Sequence, residues 1–200
     1  MGQEIEAKFF VMRPAELRKR LEALGADLIG PRHYECNLRF DTANGDLRKS
    51  GRVLRLRQDA RVRLTYKDSD SFEAGAMKRR ELEFGVDDVE TAQEFLEALG
   101  FQVALMYEKY RTTYRQHDVE IMLDEMPYGH FVEIEGGVTA LRPAAQTLNL
   151  NWEASIPSSY SSLFERVRER LQLHFRDLTF ENFKDIHVSS ADLGVIAADL

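Results

Sequence analysis

A chain of 200 residues with 44% apolar side chains can bury a sizeable core, as one generous domain or two small ones. A net charge of −7 and a pI near 5.3 argue against non-specific binding to nucleic acid or to an anionic membrane, though not against a local basic pocket. The single cysteine, Cys36, makes no internal disulfide, the first residues form no basic and apolar leader, and no apolar run approaches the roughly 20 residues that span a bilayer, which together predict a cytoplasmic protein.

In chain order, the first stretch, Glu4-Ile5-Glu6-Ala7-Lys8, predicts a strand with Glu4, Glu6 and Lys8 on one face and Ile5, Ala7 and Phe9 on the other. Met12-Arg13-Pro14 breaks it, and Leu17, Leu21 and Leu24 recur at helical spacing up to Gly25. Arg32 to Thr42 reads as a second strand with no role beyond the sheet. Val53 to Arg57 and Val62 to Lys67 form a hairpin whose cationic faces carry Arg55 and Arg57, then Arg63, Thr65 and Lys67. On the strand Met77 to Phe84, Arg79, Glu81 and Glu83 share a face.

Asp87 to Gly100 is a second predicted helix. It ends in the same LEALG that closes the first, through an ancestral duplication or a repeated solution to one helix-to-strand turn. The strands that follow align Lys109, Arg111 and Thr113, then Glu120, Met122 and Asp124, then Phe131, Glu133 and Glu135, with a turn at Pro127-Tyr128-Gly129. After Thr139 the chain reads as mostly helical, notably Ser161 to Leu173, and the last stretch reads as a docking tail.

Some eight strands, each with a charged and an apolar face, make an α+β fold. A closed eight-stranded antiparallel β-barrel would hold the charged faces inside, with helices packed over the apolar exterior. Such an interior is tolerable only if its ions are paired, hydrated or neutralised by a guest. Carboxylates suit hard divalent cations and guanidinium groups suit phosphate, so a metal-bound polyphosphate answers both sets.

These residues resemble the CYTH superfamily, the triphosphate tunnel metalloenzymes. Glu4-x-Glu6-x-Lys8 matches the family's ExExK signature, and Arg55-x-Arg57, Lys67, Arg79-x-Glu81-x-Glu83, Lys109-x-Arg111, Asp124 and Glu133-x-Glu135 follow in its order. Ser159 to Leu163 also resembles the SY-containing start of the family's C-terminal helix. The resemblance implies Mg²⁺ or Mn²⁺ held by Glu4, Glu6, Glu133 and Glu135, with Asp124 assisting a second metal or a water. It implies phosphates gripped by Lys8, Arg55, Arg57, Lys67, Lys109 and Arg111. Arg79, Glu81 and Glu83 would pair with these cations or position the nucleophile, and Arg63 and Glu120 face the same way.

The activity implied is a metal-dependent triphosphatase acting on tripolyphosphate or an organic triphosphate. A class IV adenylyl cyclase and a non-catalytic polyphosphate-binding module stand as alternatives. The partner expected is a small-molecule triphosphate, with no nucleic acid and no membrane. Residues 1–173 would form the tunnel domain, and 174–200 its docking tail.

Overall fold

Alternating polarity over Gly2–Val11 gives β1, and Pro14, which needs no amide partner at a helix start, opens α1 (Pro14–Ala23), whose Leu17 and Leu21 are buried. The computed structural model describes residues 2–69, 71–73 and 76–200; the side chains of residues 2–4, 71–73, 76 and 77 lie outside what is described. The chain continues through β2 (Asp27–Thr42), α2 (Asp46–Lys49), β3 (Val53–Gln58), β4 (Val62–Lys67), β5 (Ser71–Glu73) and β6 (Ala76–Val86). Then come α3 (Val89–Ala98), β7 (Phe101–Gln116), β8 (Val119–Met126), β9 (Gly129–Gly136), α4 (Val138–Thr147), α5 (Tyr160–Leu171) and α6 (Ser190–Leu193).

Eight strands pair antiparallel in the order β1-β9-β8-β7-β2-β3-β4-β6, and a β1–β6 pairing closes them into a ring, with β5 a short addition beside β6. Exchanging β1 with β6, β2 with β7, β3 with β8 and β4 with β9 returns the same circular order. The repetition marked by LEALG thus extends from the helix-to-strand turn to a whole half of the ring.

Two strands are longer than the sequence predicts. β2 begins at Asp27 rather than Arg32, because register shifts against β7 between Leu28 and His33 interrupt the alternation. β7 begins directly after Gly100, at Phe101 rather than near Glu108.

The exterior is covered in three patches. α1 and α4 pack on the outer faces of β1, β8 and β9 through Leu17, Leu21, Leu141 and Ala145 against Phe9, Ile121 and Ile134. α2 and α3 cover Phe40, Leu54 and Leu56 through Leu47 and Leu96. α5 and the C-terminal segment close one end of the ring over Phe10, Tyr107 and Phe131.

The C-terminal segment is bonded into the sheet. Leu178 exchanges backbone bonds with Met106 and Glu108 at 2.9 and 3.0 Å, the Ala198 amide donates to the Phe10 carbonyl at 2.9 Å, and the Asp199 carboxylate accepts from the amides of Met12 and Arg13. Among the described residues, no helix is long and apolar enough to cross a membrane.

Candidate functional site

Because successive side chains of a strand point to opposite faces, pairing fixes which charges meet inside the ring. Glu6 stands opposite Glu135 and Lys8 opposite Glu133. Arg111 stands opposite Asp124, Arg57 opposite Arg63, Thr65 opposite Glu83, and Lys67 opposite Glu81. All of these except Asp124 and Thr65 line a cavity of about 650 Å³. Glu4 is the one expected site residue whose side chain lies outside the described residues; its backbone registers with Arg79.

The side built by β1, β8 and β9 is acidic. Lys8, 3% exposed, lies 3.1 Å from Glu133 and 3.6 Å from Glu6, with its ammonium 4.5 Å from the centre of the Tyr160 ring. Burial alone would lower the Lys8 pKa, but Glu133 and Glu6 reverse that and hold it above its ordinary value. Burial would likewise raise Glu133, whereas Lys8, Arg111 and Lys109 hold it well below the usual carboxylate range.

Asp124 lies behind this wall, 1% exposed, and both its oxygens are engaged. Oδ1 accepts from Arg111 Nε at 2.7 Å. Oδ2 accepts from Arg111 Nη2 at 2.6 Å, from Lys109 Nζ at 2.9 Å and from the Tyr160 hydroxyl at 2.8 Å. It does not line the cavity, in contrast to Glu6, Glu120, Glu133 and Glu135.

The opposite side, built by β3 and β4, is basic. Arg55, Arg57, Arg63 and Lys67 line it, and carboxylates of β6 lie between them: Glu83 is 3.1 Å from Arg57 and 3.8 Å from both Arg55 and Arg63, and Glu81 is 2.9 Å from Lys67. Thr65 Oγ1 donates to Glu83 at 2.8 Å. Arg79 reaches across to Glu6 at 3.9 Å. Burial would lower the Arg55 guanidinium, but the Tyr107 hydroxyl and the carboxylates Glu35 and Glu81 hold it above its ordinary value.

Sequence reasoning missed β2, which was read as sheet alone. Its Glu35, Asn37 and Arg39 point inward by the same alternation that marked the other strands, against outward Tyr34, Cys36 and Leu38. Glu35, 1% exposed, lies 3.6 Å from Lys109 and 3.9 Å from Arg57. Burial would raise its pKa, but Lys109, Arg111 and Arg57 hold it far below the carboxylate range. Tyr107 also went unnoticed, since an aromatic beside an apolar run reads as core, whereas Tyr160 stood out only through the SY-containing segment and not through a role in the cavity.

Among the described residues, two groups offer metal donors. Glu6, Glu133 and Glu135 share the cavity wall across the β1–β9 pairing and present only carboxylate oxygens, a donor set that fits a hard divalent ion such as Mg²⁺ or Mn²⁺. A tighter cluster brings one donor atom each of His33, Glu35 and Asp59 within 4.8 Å of one another. There Arg57 and Lys109 flank Glu35, and Arg63 bonds Asp59, so cationic side chains already supply its counter-charge.

The model of the CYTH domain matches residues 2–147, the whole of the ring and α4. The chain belongs to the CYTH domain family. A candidate adenylate cyclase of Methanocaldococcus jannaschii is 25% identical over 147 residues, 72% of this chain and 83% of that one. The solved PH1012 protein of Pyrococcus horikoshii is 28% identical with a TM-score of 0.68, covering 78% of this chain and 96% of that one. A candidate adenylyl cyclase of Hippeastrum with a dominant triphosphatase activity superposes with a TM-score of 0.63 at 22% identity, over 81% of this chain and 95% of that one; that likeness concerns the fold.

Proposed function

We propose that this CYTH protein is a divalent-metal-dependent triphosphatase that removes the terminal phosphate of tripolyphosphate or of an organic triphosphate inside the ring. The observation that carries the reading is one cavity with a carboxylate wall on β1 and β9 and a guanidinium and ammonium wall on β3 and β4. An anion-binding site alone would gain nothing from so many carboxylates, and a cation site alone nothing from the arginines.

In this reading Lys8, Arg55, Arg57, Lys67, Arg79, Lys109 and Arg111 hold the phosphate oxygens and neutralise the charge that spreads over them during transfer. Glu4, Glu6, Glu133 and Glu135 hold Mg²⁺ or Mn²⁺, which when bound polarises the terminal phosphate. Glu81 and Glu83 orient a water toward the terminal phosphorus and take its proton. The bond from that phosphorus to its bridging oxygen breaks, leaving orthophosphate and the diphosphate. Asp124, whose oxygens are occupied by Lys109, Arg111 and Tyr160, acts through those two cations as a positioning residue. Tyr160 at the start of α5 keeps that carboxylate in place.

The second reading is a class IV adenylyl cyclase, favoured by the name of the Methanocaldococcus jannaschii relative. There the ribose 3′-hydroxyl of ATP attacks the α-phosphorus and pyrophosphate leaves. The test is incubation of the purified protein with Mg²⁺ or Mn²⁺ and, separately, tripolyphosphate, thiamine triphosphate and ATP, followed by separation of the products. Orthophosphate with the corresponding diphosphate is expected. Cyclic AMP with pyrophosphate would replace the hydrolase by the cyclase, and tight binding of tripolyphosphate without turnover would leave a polyphosphate-binding module.

A further inference from the structure

A second cavity of about 640 Å³ opens beside the first, between the turn that carries α2 and the N-terminal end of α5. Arg39, Val53, Arg79, Ser159 and Ser161 line both cavities, so the two are continuous. Among the described residues, six arginines face this vestibule against two carboxylates, Asp41 and Glu165.

Two of the six are balanced, Arg168 by Glu165 and Arg79 by Glu6, and neither vestibule carboxylate is left to balance the other four. Asp41, 6% exposed, spends its oxygens on the backbone amides of Thr42, Leu47 and Arg48 at 2.8, 2.8 and 3.0 Å, which caps α2. Glu165 pairs with Arg168 on its own helix at 3.0 Å. Among the described residues, Arg39, Arg48, Arg52 and Arg176 have no carboxylate partner: Arg39 donates to Ser161 Oγ, and Arg52 to Ser50 Oγ at 2.7 Å. Burial lowers the Arg39 pKa and Arg55 and Arg79 push the same way, which Tyr107 and the more distant Asp41 offset only in part. The N-terminus of the 12-residue α5, capped by Ser159, adds its positive end at the shared border.

A concentration of guanidinium groups that the protein leaves unbalanced attracts an anion, and planar forks of donors match phosphate oxygens. The vestibule is not built for a base. Among the described residues its single aromatic lining residue is Phe40, 3% exposed and committed to the core under α2, so none of them presents a ring for stacking.

We propose that the vestibule is a second anion site that holds the further phosphates of an inorganic polyphosphate chain whose end lies in the ring, an inference that rests on the triphosphatase reading of the first cavity. Arg39 and Arg79 bridge the two sites, and Arg48, Arg52 and Arg176 carry the extension. Chains longer than three phosphates are then preferred over tripolyphosphate, and over nucleotides that continue as a ribose and base.

The test is equilibrium binding to the full-length chain in EDTA, which prevents turnover, of sodium tripolyphosphate, a linear polyphosphate several times longer, ATP and a 5′-triphosphorylated oligoribonucleotide. The longer polyphosphate is expected to bind about tenfold or more tighter than tripolyphosphate, the scale of one or two added charge-assisted contacts. The combined variant Arg48→Ala, Arg52→Ala, Arg176→Ala should reduce that ratio to near unity, while the corresponding three lysine substitutions keep most of it. No gain with the parent, or a gain that survives the alanine variant, overturns the proposal. An equal gain with the oligoribonucleotide overturns the inorganic assignment. Metal-dependent turnover of tripolyphosphate, measured separately, tests the first cavity alone: its absence beside an arginine-dependent chain-length ratio would sink the triphosphatase reading and leave the vestibule standing.

Discussion

The β3–β4 hairpin and the β8–β9 hairpin hold equivalent places in the two halves of the ring, yet the first turns Arg55, Arg57, Arg63 and Lys67 inward and the second Glu120, Asp124, Glu133 and Glu135. β3 also lies four strands from β9 in either direction, so the basic and acidic walls face each other across the cavity. One backbone plan has thus been filled with opposite charges. What the difference teaches is that the topology supplies a container, and side-chain charge alone divides it into a phosphate side and a metal side.

The sharpest way to break that division is one substitution on each wall. Glu135→Ala should lower metal-dependent phosphate release from tripolyphosphate by about 10³ while leaving the circular dichroism spectrum unchanged, as expected when charge stabilisation of a transition state is removed. Arg55→Gln should instead weaken tripolyphosphate binding by about 10- to 100-fold, through loss of a charge-assisted contact. Equal loss of the same kinetic parameter in both variants would mean that the walls do not divide the work.

Asp124 tests the comparison from behind the acidic wall. Removing its charge leaves Arg111 and Lys109 buried with less compensation, so Asp124→Asn should cost about 3–5 kcal/mol of stability in urea denaturation. A variant as stable as its parent but inactive would assign Asp124 to the chemistry rather than to positioning.

Glu35 carries negative charge onto β2, midway between the walls, and its pH dependence has a definite sign. Its folded pKa is held below the ordinary 4.5 by Lys109, Arg111 and Arg57 despite burial, so its contribution is present above that value and is lost as pH falls through the folded pKa. Glu35→Gln should therefore be less stable than the parent at neutral pH, and the gap between their urea midpoints should close as the pH is lowered below 4.5. A gap that widens in acid would reverse the assignment.

Most of the ring was legible because an alternating charge pattern on a strand needs only the two-residue period to be read. Glu6, Lys8, Arg55, Arg57, Lys67, Lys109, Arg111, Glu133 and Glu135 all follow from it and all line the cavity. β2 escaped because its leading segment is bulged: Arg32 turns outward to Glu125 at 2.8 Å, and the phase that puts Glu35, Asn37 and Arg39 inward is obscured at its start. The vestibule could not be read at all, since Arg39, Arg52, Arg168 and Arg176 come from separated segments and only the packing of α5 and the C-terminal segment brings them together. The engagement of Asp124 was equally hidden, because Tyr160 approaches it from an element 36 residues away.

The smallest effect tests the likeness of the halves rather than their difference. Gly25 and Gly100 end the two LEALG segments with φ of +70° and +90°, and a Cβ built at either meets nothing within 4 Å. Substitution by alanine therefore adds no clash at either site, and its cost is that of placing a side chain in the left-handed region, about 1 kcal/mol in each half. Gly25→Ala and Gly100→Ala should lower stability by equal amounts in urea, with activity toward tripolyphosphate unchanged in both. If one costs several times the other, the two turns carry different loads, and the correspondence between the halves is one of strand order alone. Equal costs beside the unequal effects of Glu135→Ala and Arg55→Gln would place the symmetry in the backbone and the asymmetry in the charges.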